Sequence, residues 1–218
     1  QPMHVCAPTG ENFVKGTSFS APWISRKMAY LICTLGFSRE VAKALIIDAA
    51  AGWDRKDDAS CSIGYGIVPQ RIEDIVKTPD DEIRFVMMGT TDAYETYTYR
   101  IPVPIYNDRQ PFYARATLCY FPKCVRDQGV DYTTTEMDIH FGRVKEKGGK
   151  AVIASINSNS QGDDDGCHLH EPEARQLYRK WDNVKLISEE LKDRAVPRKV
   201  YGAGMWGLSI KTKERLKE

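Results

Sequence analysis

No stretch of this chain reaches the ~20 consecutive apolar residues that a membrane-spanning helix needs, and no positively charged leader followed by an apolar core is present. A membrane partner is therefore not expected. An excess of one charge is lacking too: 31 Lys and Arg stand against 30 Asp and Glu, and a formal +1 gives no field to attract nucleic acid. The basic stretch Lys180, Lys185, Lys192 and Arg194 is offset by Asp182, Glu189, Glu190 and Asp193, and reads as a solvated face. Cysteine is sparse. The six, Cys6, Cys33, Cys61, Cys119, Cys124 and Cys167, have neither the density nor the spacing of a disulfide scaffold. Cys33 and Cys119 fall in apolar segments, where a free thiol acts as a small apolar side chain. Reduced thiols and a cytoplasmic setting are expected, with secretion as the alternative. Cys119 and Cys124, which bracket Phe121-Pro122-Lys123, are spaced to pair across a turn. What remains is ordinary: 42% hydrophobic and 28% charged residues over 218 positions leave room for one large or two small domains.

The most informative segment is Gly16-Thr17-Ser18-Phe19-Ser20-Ala21-Pro22. Thr17 is a good N-cap, and the run from Ala21 to Leu35 is apolar almost all round, interrupted by Arg26 and Lys27. The pattern predicts a buried helix that Gly36 stops in a left-handed conformation. Pro22 is tolerable only near its start, where it deprives the Ser18 carbonyl of a donor. Ser18 then lies at a helix entrance. Unpaired N–H groups and the positive dipole end favour a developing oxyanion there, a setting suited to acyl transfer. The bland alternative is a first-turn serine with no chemistry.

This segment fills every fixed position of the G-T-S-x-[SA]-x-P pattern at the nucleophile of subtilisin-like serine proteases, and the chain resembles that family. Two flanking stretches extend the likeness. Val5-Cys6-Ala7-Pro8-Thr9-Gly10 is similar to the V-x-A-P-G stretch before the serine, and Gly64-Tyr65-Gly66-Ile67-Val68-Pro69 to the G-x-G-x-[IV]-[ND] segment that closes the domain. Trp23 departs from the family, which often has His after the proline. The resemblance covers residues 1 to 77. It implies that Ser18 attacks the scissile carbonyl of a peptide or protein substrate to form an acyl-enzyme, with backbone support for the oxyanion at Thr17 and Ser18, and with neither cofactor nor metal. A serine needs a histidine base oriented by a carboxylate. None of His4, His140, His168 and His170 stands in the family's H-G-T-x-[VC]-A setting, and no D-[ST]-G occurs. In the family both precede the serine, so the chain is expected to be the rear part of a protease, inactive alone, whose partner is the upstream part of its own catalytic domain.

Further along, Ser38 is placed to cap a second helix to about Ala50, with Val41, Ala44, Leu45, Ile47 and Ala49 inward. A short strand around Tyr65 to Val68 and a helix opened by Pro69, carrying Ile72, Ile75 and Val76, follow. So short a stretch cannot cover two apolar helices, and exposed apolar surface is expected here. Thr78-Pro79-Asp80-Asp81 reads as a linker. Beyond it the pattern alternates: Tyr97, Tyr99, Ile101; Phe112, Ala114, Ala116, Leu118; Met137, Ile139, Phe141; Trp206, Leu208, Ile210, with apolar segments at 151–156 and 184–187. Half-buried strands of this kind predict a two-sheet antiparallel sandwich. The expected fold is α+β overall, an α-rich remnant of a subtilisin-like α/β domain over 1–77 and a jelly-roll-like β-sandwich over 78–218. In order and pattern the latter looks like the P domain of proprotein convertases. A non-catalytic binding or regulatory sandwich is the alternative function. The segment 157–171, with Asp163, Asp164, Asp165, Cys167, His168 and His170, invites a metal reading. Its spacing matches no calcium or zinc signature, and it reads as a solvated loop.

Overall fold

Serine and glycine set where the first helices begin and end. In the computed structural model, which describes residues 3–50, 64–92, 96–102, 112–125, 127, 133, 135–155, 183–191 and 205–214, the chain divides into two compact units, Gln1–Arg84 and Phe85–Glu218. The architecture is mixed α+β.

The first unit opens with an antiparallel hairpin, β1 (Met3–Ala7) and β2 (Gly10–Val14). His4 stacks on Phe13 with ring centroids 4.7 Å apart, and its Nε2 lies 3.0 Å from a Glu11 oxygen. Both partners are exposed, so the pair contributes little. Helix α1 (Thr17–Ala29) runs into a π-helical turn, Tyr30–Thr34, where the Leu35 N–H reaches back to the Tyr30 carbonyl at 3.1 Å. Gly36 ends it at φ 73°, the left-handed stop the sequence predicts, and the Phe37 N–H closes on the Leu31 carbonyl. Ser38 caps α2 (Arg39–Ala50) as expected: its hydroxyl accepts from the Val41 N–H at 3.3 Å. Glu40, beside it, has its carboxyl held below the usual range by its own backbone N–H and then by the Ser38 hydroxyl. Helix α3 (Glu73–Val76) is shorter and starts later than Pro69 implies, and no strand forms at Tyr65 to Val68.

Leu31, Val41, Ala42, Leu45, Ile46 and Ile75 form the core of this unit among the described residues, with Ile24, Met28 and Ile32 leaning on it. On α2, Ala42 and Ile46 are buried where the sequence reading had Ala44, Ile47 and Ala49, which are half-buried. The larger correction concerns α1. The helix expected to be buried has Lys27 as its one buried residue, and Phe19, Tyr30 and Leu35 are 41%, 42% and 41% exposed. Cys33 is exposed as well, not packed as an apolar side chain. A helix that is apolar all round needs cover all round, and α2 and α3 supply it on one side only. The expected exposed apolar surface is therefore present.

Lys27 itself is unusual, being 6% exposed. Its ammonium donates to the Gln70 carbonyl and lies 4.2 Å from the centroid of the Trp23 ring, which ties α1 to the segment before α3. Desolvation, followed by repulsion from Arg26, lowers its pKa below that of an ordinary lysine. The unfolded chain thus holds the proton more tightly than the folded one. Stability is expected to rise with pH between the folded and unfolded pKa of this group. Urea midpoints measured from neutral pH up to the ordinary lysine range should climb in the parent relative to Lys27→Met, and parallel curves would refute this.

The second unit contains the alternating segments as strands: β3 (Thr96–Pro102), β4 (Phe112–Cys119), β5 (Thr135–Lys147), β6 (Lys150–Ser155), β7 (Val184–Leu191) and β8 (Met205–Glu214). One antiparallel sheet has the order β3-β8-β5-β6, and a second is formed by β4 and β7. Because side chains alternate between faces, Tyr99, Ile101, Ile139, Leu208 and Ile210 share one face of the first sheet. They pack with Ala114, Ala116, Leu118 and Ile187 of the second in one apolar cluster. A buried Lys185–Glu136 pair at 3.9 Å and a Met137 N–H donating to the Tyr120 hydroxyl at 3.1 Å further link the two sheets. Cys119 and Cys124 are both free thiols, so they do not pair. The expected boundary lies at 77/78, whereas the units divide after Arg84, whose guanidinium donates to the Ile75 carbonyl at 2.7 Å and so belongs with α3. Among the described residues no helix is long and apolar enough to cross a membrane. The segment 157–171, with its candidate metal ligands, lies outside the described residues, as do Cys61, His168 and His170.

Candidate active site around Ser18

Chain direction changes at Gly16. Its φ of 149° and ψ of 154° are open to glycine and strained for other residues, and this makes Gly16, not the expected Thr17, the N-cap of α1. Thr17 and Ser18 become the first two helical residues. The Gly16 carbonyl accepts from the N–H groups of Phe19 at 3.1 Å and Ser20 at 3.2 Å, which starts the ladder above Ser18. The N–H groups of Thr17 and Ser18 precede that ladder and are the orphan donors of a helix start. Ser20 turns its hydroxyl onto the carbonyls of Gly16 and Thr17 at 3.4 Å and 3.3 Å, the usual local bond of a first-turn serine. Ser18 does not: among the described residues its hydroxyl has no hydrogen-bond partner, and the residue is exposed. Pro22 leaves the Ser18 carbonyl without its i+4 donor.

Among the described residues the result is an unencumbered hydroxyl beside two undonated N–H groups at the positive end of a helix, open to solvent. That arrangement can hold an oxyanion formed on a carbonyl attacked by Ser18. No charged side chain stands in the first turn. The geometry depends on Gly16. A Cβ there would meet the Phe19 ring at an ordinary 3.7 Å, so the cost of Gly16→Ala is backbone strain and not collision. A loss of about 1–2 kcal/mol is expected in chemical denaturation, and no measurable loss would mean the entrance re-forms with another cap.

The sequence-predicted groups are only partly brought together. Thr17 and Ser18 adjoin by chain order. His4 is engaged with Glu11 on the hairpin, and His140 lies on β5 of the other unit. Lys27 escaped the sequence reading because a lysine in an apolar run looks like an interruption; Trp23 four residues earlier was the available signal, since that spacing puts ring and ammonium on one helix face. Comparison of the chain with protein-family models, curated proteins and solved structures finds no match in any of the three.

Proposed function

We propose that Ser18 is the nucleophile of a serine endopeptidase of the subtilisin type, whose histidine base and orienting aspartate come from polypeptide outside these 218 residues. The observation that carries the reading is the state of Ser18: exposed, without a hydrogen-bond partner among the described residues, in the first turn of α1, inside a motif with every fixed position filled. Ser18 attacks the scissile carbonyl of a peptide or protein as the histidine takes its proton. The N–H groups at the helix entrance steady the oxyanion, the amine leaves with that proton, and water releases the acyl group.

Support also comes from what surrounds the serine. Phe19 of α1, Tyr30 and Leu35 just beyond it, and the hairpin residue Phe13, 66% exposed, are large apolar side chains left open, of the kind that the sheet of an α/β domain covers. In this reading residues 1–77 are the closing part of that domain, and the two antiparallel sheets beyond are a jelly-roll-like sandwich. Four free thiols, Cys6, Cys33, Cys119 and Cys124, favour a reducing, cytoplasmic setting. The test is a fluorophosphonate reagent applied to the protein extended upstream. Adduct on the peptide that contains Ser18 is expected; adduct elsewhere, or none in a protein that cleaves peptides, overturns the assignment.

A further inference from the structure

Between α3 and β3 the chain from Lys77 to Asp92 forms neither helix nor strand, and the two units divide inside it, after Arg84. Its hydrogen bonds are confined to its two ends. The Glu82 N–H donates to the Pro79 carbonyl at 3.1 Å, the Arg84 guanidinium holds the Ile75 carbonyl and the Glu82 carboxylate, and the Thr91 hydroxyl accepts from that of Thr212 at 2.9 Å. From Phe85 to Thr90 no residue has a hydrogen bond among the described residues.

That same stretch is apolar and open. Phe85, Val86, Met87 and Met88 follow one another directly, and all four are exposed, from 41% at Met87 to 68% at Met88. A face that docks a partner shows one side of an element and rests the other on the molecule, whereas here consecutive side chains all stand in solvent. The combination suits an endopeptidase. Such an enzyme grips its substrate through free main-chain N–H and C=O groups, as in strand addition, and selects a large side chain in a pocket. No hydrogen bond has to break for Phe85–Met88 to enter such a cleft, so its opening lies at the low end of the free energies found within a folded chain. The anchors divide cleanly as well. Arg84 ties back to α3 of the first unit, while Gly89, where a Cβ would come within 3.3 Å of the Tyr99 hydroxyl, and Thr91 belong with β3 and β8 of the second. A break between Phe85 and Gly89 severs none of these ties.

We propose that Phe85–Met88 is a processing site, at which an endopeptidase selective for large apolar residues hydrolyses the bond after Phe85, Met87 or Met88 and leaves the two units on separate chains. Water adds across that amide, giving a carboxylate on the first piece and an ammonium on Val86, Met88 or Gly89 of the second. The site is independent of Ser18. It is tested with chymotrypsin on the full chain and on a synthetic peptide of residues 77–92, with the new amino termini timed by mass spectrometry. The initial rate at these bonds in the chain is expected to lie within about tenfold of the peptide's, since a segment that opens freely is cut like a free peptide. Amides of β5 and β8 should keep their protection against exchange after the cut. Cells that make the protein should hold a fragment beginning at Val86, Met88 or Gly89, and the exposed triple variant F85D/M87D/M88D should lack it. A slower rate than that in the chain, loss of the protection, absence of the fragment, or its persistence in the variant overturns the proposal.

Discussion

Ser18→Ala is expected to lower kcat for peptide cleavage by the upstream-extended protein on the order of 10⁶-fold, with KM nearly unchanged. The size follows from what the hydroxyl does. In the proposed mechanism it forms the bond to the substrate carbon, so without it the base would have no proton to take, and only the oxyanion donors and substrate binding would still contribute. Those donors belong to the backbone at Thr17 and Ser18 and survive the substitution. Fold should survive too: Ser18 is exposed, makes no hydrogen bond among the described residues, and alanine is the better helix former by roughly 0.5 kcal/mol. The bland reading, a first-turn serine with no chemistry, predicts the opposite pair of results, a slightly more stable protein with full activity. Steady-state kinetics and a melting curve on one variant therefore separate the two.

Strands were legible because alternation survives any tertiary context that buries one face. Ile139 and Ile210 each sit between polar residues and Leu208 between Gly207 and Ser209, and each reaches the core that this pattern predicts. Helix ends were legible where a residue has one strong conformational reason to be there, as with Gly36 and Ser38. The entrance of α1 was misread by one residue because two signals competed: threonine caps by hydrogen bond, but Gly16 could take a backbone conformation that threonine could not. Burial of α1 was misread because apolar composition reports a need for cover, whereas cover itself depends on what else is present. As for the candidate site, the motif named Ser18, but its freedom from local hydrogen bonds, in contrast to Ser20, is a fact of geometry.

The second large effect concerns stability. Leu31→Ala is expected to destabilise the first unit by about 3–5 kcal/mol, the range for deleting a fully buried leucine whose surroundings collapse only in part. Leu31 is 0% exposed and clusters with Val41, Ala42, Leu45, Ile46 and Ile75, and these six apolar residues make up the unit's core among the described residues. Such a loss is comparable to the whole stability of a small domain. Collapse is hindered from two sides: Leu31 lies within the π-helical turn held by the Leu35 N–H to Tyr30 bond, and Phe37 closes back on its own carbonyl. The cluster of Ile139 and Leu208 belongs to the other unit, so amide exchange should accelerate across α1, α2 and α3 while β5 and β8 keep their protection. Leu35→Ala, four residues on and 41% exposed, supplies the control, with an expected cost below about 1 kcal/mol. Equal costs for the two leucines would mean that α1 is not seated on α2 and α3 as found, and the exposed side of α1 would then lose its meaning as a face awaiting cover.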